Sequence, residues 1–346
     1  MSVRRRAVAG LVAAGIAGLA AASPLSAGRG ASSGLRQPAS PPPVAGDVDR
    51  ILAAARGYLD EYARELSLVV GIERYAQWVS DSEAEVGFSQ GGDRPFVRNT
   101  VSEFALVRAD NDWIGYRDVL EVDGKALKGR QDRLQRLFIE DQPSARDQAR
   151  KIADESTRFN AGAMQRNFNV PTMALYFLQQ ANASRFRHQL DGYETLDGVR
   201  VARLRYQESR KPTIIRTPSG GNMPVGGTVW IEPGSGRILK TFMEITGEVR
   251  LTPADSQSSR GGQITARTGD LPDRVVPTFA RVTVRYTRDE KLGLLLPTEM
   301  AEEYQSVAAG RERSPERVQR IRCRATYSDF KRFETSGKVI VRAPND

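Results

Sequence analysis

Arg320-Ile321-Arg322-Cys323-Arg324-Ala325-Thr326-Tyr327 is the stretch on which the fold turns. Every second residue is apolar, and the residues between are arginine or threonine. That is the two-residue period of a strand with one dry and one wet face. The same period runs through Ala280, Val282, Val284 and Tyr286, set against Arg281, Thr283, Arg285 and Thr287. Working back along the chain, 228–232 and 237–249 flank the turn residues Pro233-Gly234-Ser235-Gly236. Further back, 185–190 and 199–206 flank Asp191-Gly192-Tyr193 and Asp197-Gly198. Leu296-Pro297-Thr298 leads into a strand at 300–304. Short turns between strands join antiparallel neighbours, so most of 185–327 reads as a meander with one solvated face.

The N-terminal part has a different period. Val48, Ile51, Leu52, Ala55, Leu59, Tyr62 and Leu66 recur at steps of three and four, which predicts a helix with one apolar stripe. Asp47 suits its N-cap. Leu68-Val69-Val70-Gly71-Ile72 opens a strand to 79, and strands follow at 101–107 and 114–122. In the last of these Ile114, Tyr116, Leu120 and Val122 share a face that Asp118 interrupts, and Val122-Asp123-Gly124-Lys125 is a turn. The middle is helical: 134–138, then 143–159 with Ala149 and Ile152 inward, then a short apolar helix over 171–178 capped by Asn169. Residues 252–275 are polar, basic and Gly/Ser-rich, and read as a long mobile loop. The class is α+β: nine or ten antiparallel strands with helices gathered in two places. Twist accumulates over that many strands, so the sheet curls into an unclosed half-barrel. Its concave side, covered by the N-terminal helix and a helical lid insertion near 130–180, is the natural ligand site.

Two segments resemble a known family. Gly227-Thr228-Val229-Trp230-Ile231-Glu232-Pro233-Gly234-Ser235-Gly236-Arg237-Ile238-Leu239-Lys240 is similar to a strand–turn–strand of the periplasmic lipoprotein carriers (LolA/LppX-like), and Leu296-Pro297-Thr298-Glu299-Met300 resembles their late strand entry. The resemblance covers the order of elements from about 47 to 334 and implies a half-barrel with an acyl-chain-sized hydrophobic cavity.

The ends of the chain bear on location. Arg4-Arg5-Arg6, the apolar run 7–22 and Ser23-Pro24-Leu25-Ser26-Ala27 have the pattern of a secretory signal peptide, with cleavage near Ala27. A Pro/Ser/Gly linker at 28–46 then leads into a single domain over 47–340. The expected location is periplasmic or secreted. The single cysteine, Cys323, excludes an internal disulfide, so packing must hold the fold. The whole chain carries 51 Lys+Arg against 42 Asp+Glu. Residues 1–27 hold three arginines and no acid, which leaves 48 − 42 = +6. Outside the cytoplasm the polyanions on offer are lipid head groups and cell-wall polymers rather than nucleic acid.

Enzyme signatures are sparse. One histidine, His188, and one distant cysteine cannot assemble a histidine-based zinc site, and His188 reads as a surface or packed strand residue rather than a general base. Gly30-Ala31-Ser32-Ser33-Gly34 matches Gly-x-Ser-x-Gly but lies in the linker, without the strand and helix that motif needs. Ser328 to Lys331 matches Ser-x-x-Lys too near the end for partner motifs. No phosphate-binding fingerprint is present. Asp110 and Asp112 read as a tight turn, with a two-carboxylate hydrolase as the enzymatic alternative. Cys323 reads as a buried, inert thiol.

The expected function is therefore a non-enzymatic, exported binding or carrier protein for an apolar ligand, such as a lipid or lipoprotein acyl chain. No cofactor or metal is called for. Leu52, Leu59, Met173, Phe177, Val282 and Val284 are expected to line the hydrophobic cavity. Arg320, Arg322 and Arg324 are the candidates to meet anionic head groups or an anionic membrane surface. The alternative is an envelope interaction or sensor module with a filled core.

Overall fold

The alternating stretches become eleven strands in one antiparallel sheet, in a computed structural model that describes residues 46–66, 69–83, 96–109, 112–130, 133, 152, 155–162, 164, 166, 168–216, 220–251, 274–308 and 317–332. The signal-peptide, linker and 252–275 loop readings fall almost wholly outside these residues, as do helices 134–138, most of 143–159, and Asp110 of the Asp110/Asp112 pair. The strands are β1 (Val69–Glu83), β2 (Phe96–Ala109), β3 (Asp112–Val122), β4 (Lys125–Ala126), β5 (Phe186–Leu196), β6 (Val199–Glu208), β7 (Val225–Ile231), β8 (Ile238–Leu251), β9 (Arg274–Arg288), β10 (Leu295–Ala308) and β11 (Arg317–Arg332). Among the described residues the α-helices given bounds are α1 (Asp47–Leu66) and α2 (Met173–Leu178). The α+β class and the unclosed sheet agree with the sequence reading.

Strand order is β4-β3-β2-β1-β11-β10-β9-β8-β7-β6-β5. The last strand pairs with the first, and β4 and β5, consecutive in sequence, lie at opposite edges. At about 4.8 Å between strands those edges are about 48 Å apart along the sheet. The chain from 127 to 185 must therefore cross the whole sheet, which is why this insertion serves as a lid.

Helix α1 buries Ile51, Ala55, Leu59, Tyr62 and Leu66, the predicted stripe, against one end of the half-barrel. Its contacts run strand by strand: Asp47 to Tyr193 of β5, Ala54 to the β7–β8 turn, Glu65 to Arg332 of β11. Gly236 in that turn has φ +73 and lies so close to the main chain of Ala54 that a Cβ would collide with it. A side chain there would push α1 off the sheet.

Three local readings need correction. Gly46 caps α1 through its carbonyl, which accepts Arg50 N–H at 3.1 Å, while the carboxylate of Asp47 is bound by Arg50 and Tyr193 within the first turn. Thr172, not Asn169, stands at the N-cap of α2 and makes no side-chain cap bond. In β3 the register slips between Val101 and Ser102 of β2, leaving Leu120 as an extra residue. The bulge reverses the alternation, so Val122 faces opposite to Tyr116. Asp118 does not interrupt an apolar face. It shares the convex face with Tyr116, buried beneath Arg130 and Arg133, which also hold Glu155.

Candidate functional site

The concave face is where the sequence places a ligand. Two kinds of packing fill it, and both come from the crossing segment.

Over β5–β9 the filling is apolar. Phe177 of α2 packs its ring 5.3 Å from Phe186 and 5.9 Å from Tyr206, and Leu175 and Leu178 are buried beside it. Leu52, Leu59, Phe177, Val282 and Val284 all belong to one hydrophobic core, with Met173 packed against it. The structure thus brings together the six residues expected to line a cavity. With α2 seated they lie in that core, and neither depression described below touches them.

Over β1, β2, β10 and β11 the filling is polar and charged. Gln77 of β1 donates to the carbonyl of Phe159 at 3.0 Å and accepts from Ala161 N–H at 2.8 Å and Arg166 Nη2 at 2.5 Å. Arg117 of β3 pairs with Glu73 of β1 and donates to the carbonyl of Asn169 at 2.9 Å. Asn169 Nδ2 reaches Tyr75 Oη and Glu302 Oε2, each at 3.3 Å. Glu302 Oε2 also accepts from Tyr75 at 3.1 Å and from Tyr304. Burial raises the carboxyl pKa of Glu302, against the pull of Arg166. Burial also raises both tyrosine hydroxyls, and the charge of Glu302 adds to it. Farther along, Tyr286 donates to the carbonyl of Pro171, and Arg56 to that of Leu178 at 3.2 Å. The lid's main chain is thus tied down by side chains of the sheet and α1.

Sequence reading missed Glu73, Gln77, Arg117, Arg166 and Glu302. A signal for β1 was present. Arg74 and Trp78 fall on one parity, and the structure turns that parity outward, so Glu73, Tyr75 and Gln77 go inward.

Cys323 lies on the concave face, buried, and burial with the Glu302 charge pushes its thiol up to about 12. It is a packed thiol with no nucleophilic character near neutrality. His188 is half-buried on β5, where burial and then Arg56 lower its pKa to about 4. Arg320, Arg322 and Arg324 lie exposed on the convex face, bonded to Gln305 (3.0 Å), Glu303 (3.5 Å) and Glu299 (3.0 Å) respectively.

The open concavity at the α1 end is a groove of about 320 Å³ between α1 and the β9–β10 turn. Leu292, Leu294 and Leu295 form one wall, and Tyr58 and Tyr62, stacked at 5.4 Å, form the other. Glu61, Glu65, Arg237 and Arg288 complete the lining. Glu65 is held by Arg332 and Arg237 by Glu232, while Arg288 and Glu61 have no ion-pair partner among the described residues. Leucine and tyrosine walls with a cation at the edge favour a small amphipathic ligand over a strongly polar one. No described helix is long and apolar enough to cross a membrane, and no described cluster of His, Cys, Asp or Glu is suited to a metal ion.

No protein-family model and no curated protein matches the chain. Among solved structures it is similar to a domain assigned to outer membrane lipoprotein sorting from Vibrio parahaemolyticus (12% identity, 83% of this chain and 94% of that one, TM-score 0.34). It is also similar to a DUF1329 family protein from Desulfovibrio piger (10%, 84% and 95%, TM-score 0.31). A third is a LolA superfamily protein from Nitrosomonas europaea (12%, 83% and 94%, TM-score 0.27).

Proposed function

We propose that the protein is a non-enzymatic binding protein for an apolar chain with an anionic head, and that it works as an exported carrier. The supporting observation is the groove between α1 and the β9–β10 turn, with its Leu292–Leu294–Leu295 wall, tyrosine wall and Arg288 at the rim. Its volume, about 320 Å³, lies at the lower end of small-molecule sites. An apolar chain entering it gains about 25 cal/mol per Å² of surface removed from water, and Arg288 is placed to meet a carboxylate or phosphate at the mouth. A longer chain would have to displace α2, whose Leu175, Phe177 and Leu178 already cover the apolar sheet.

The test is binding of a dansyl-labelled fatty acid, with native mass spectrometry of the freshly purified protein. We expect dye binding that Leu294→Glu weakens at least about tenfold, since a carboxylate in the groove removes apolar area and repels the head group. A clean apo mass with no dye binding would overturn the carrier reading. That outcome would leave the second reading, an envelope interaction module whose filled core is only structural.

A further inference from the structure

The large hydrophobic side chains exposed among the described residues are Trp78, Phe96 and Val97, and all three sit on two consecutive rungs of one hairpin. Trp78 lies opposite Val97, and Val79 opposite Phe96. Trp78 is 38% and Val97 41% exposed, on the convex face, opposite to the side that Tyr75 and Gln77 turn toward Asn169 and Ala161. Beside them a shallow, mainly apolar depression is floored by Ala76, Val101 and Thr326 and edged by Arg74 and Arg324.

The other side of Trp78 is arginine. Register sets Arg322 opposite Trp78, Arg324 opposite Ala76 and Arg320 opposite Ser80. Arg322 and Arg324 meet Glu303 and Glu299 at their inner ends, yet their side chains stay 75% and 60% exposed. Arg74 donates to Ser328 Oγ, Arg320 to Gln305, and neither has a carboxylate partner among the described residues. Four arginines to two glutamates leaves this corner of the face positive, around an exposed indole.

We infer that this corner, formed by Trp78, Val97, Arg74, Arg320, Arg322 and Arg324, docks on the surface of an anionic lipid bilayer. Charge complementarity selects an anionic partner. The indole and valine standing clear of the sheet select one with an apolar layer just beneath its charges. An indole favours the head-group region of a bilayer, and guanidinium groups bond phosphate oxygens in pairs while their stems lie along apolar surface. A soluble polyanion would use the arginines and leave Trp78 in water. The surface is separate from the α1 groove and stands independently of the carrier reading.

The experiment is co-sedimentation of the purified full-length protein with vesicles of phosphatidylglycerol and phosphatidylethanolamine, against vesicles of phosphatidylcholine alone, with tryptophan emission read in parallel. We expect binding to the anionic vesicles, a blue shift, and weakening by salt. Each arginine near an anionic surface multiplies binding about fivefold, so Arg322→Gln with Arg324→Gln should lower it about 25-fold. Trp78→Ser should abolish most of the blue shift. Arg187→Gln, on the same sheet at the far edge, should change nothing, and circular dichroism checks that all variants are folded. The groove variant Leu294→Glu should bind vesicles as the parent does, which keeps failure of this inference distinct from failure of the carrier reading. Absence of vesicle binding, binding that the arginine pair leaves intact, or equal loss with Arg187→Gln would overturn the inference. So would retention on heparin without any on vesicles.

Discussion

The two halves of the concave face are built on opposite principles. Over β5–β9, the sheet meets α2 through rings and aliphatic side chains, with Phe177 packed against Phe186 and Tyr206. Over β1, β2, β10 and β11, Glu73, Gln77 and Glu302 meet Arg117, Arg166 and Asn169, and each group depends on its neighbour's charge or hydrogen bond. Apolar packing gives stability that tolerates repacking. A buried ionic cluster gives little net stability, yet it fixes one geometry and fails badly when a single member is removed. The lid is therefore held by strength at α2 and by specificity at 159–169.

Substitutions can break that contrast. The largest effect should come from Phe177→Ala, which leaves a ring-sized hole in the dry half and costs about 3–5 kcal/mol of global stability, read by urea denaturation. Arg117→Met should cost a comparable or slightly smaller amount, about 3–4 kcal/mol, because it strands Glu73 with no cation. Here the halves diverge. Adding Glu73→Leu to Arg117→Met should recover most of the loss, as an apolar pair replaces a lone buried charge, whereas no second substitution on the sheet refills the space left by Phe177. A double variant as unstable as the single one would show that the polar half also works by packing.

The pH dependence sharpens the contrast further. Burial raises the pKa of Glu302 above its unfolded value, so its contribution is fully present below the unfolded pKa and is lost as pH rises through the folded one. Glu302→Gln should therefore gain stability relative to the parent between pH 4 and pH 7; equal midpoint differences at both would contradict it. His188, at the edge of the dry half, behaves oppositely. Its pKa is lowered to about 4, so the neutral ring's contribution is present above about 6.5 and is lost as pH falls from there toward 4. His188→Gln should flatten that slope by about 1 kcal/mol once partial exposure is discounted, the smallest effect of the set.

The dry half was readable in advance because its residues alternate cleanly. Ala280, Val282, Val284 and Tyr286 are buried as their period requires. The wet half was not readable, for a physical reason. Arg117 and Asp118 are adjacent charges, and a single strand offers no sign that either will be buried. Arg117 goes inward only because Glu73, on another strand, waits opposite, and Asp118 is covered only because Arg130 and Arg133 fold back over it. The bulge at Leu120 cancels the periodicity that would have shown the faces. The groove residues were unreadable as a set, because Tyr58 and Leu294 are brought together only when α1 lies across the strand ends.

Local periodicity alone dictated that this chain makes one long antiparallel sheet with a helix at its start, since alternation and the three-four stripe are properties of neighbouring residues. Whether the curved face stays open or is filled was settled by tertiary structure. That outcome depends on strand order. With β4 and β5 at opposite edges, the connecting chain must cross the hollow, and it brings Phe177 to one half and Arg166 to the other.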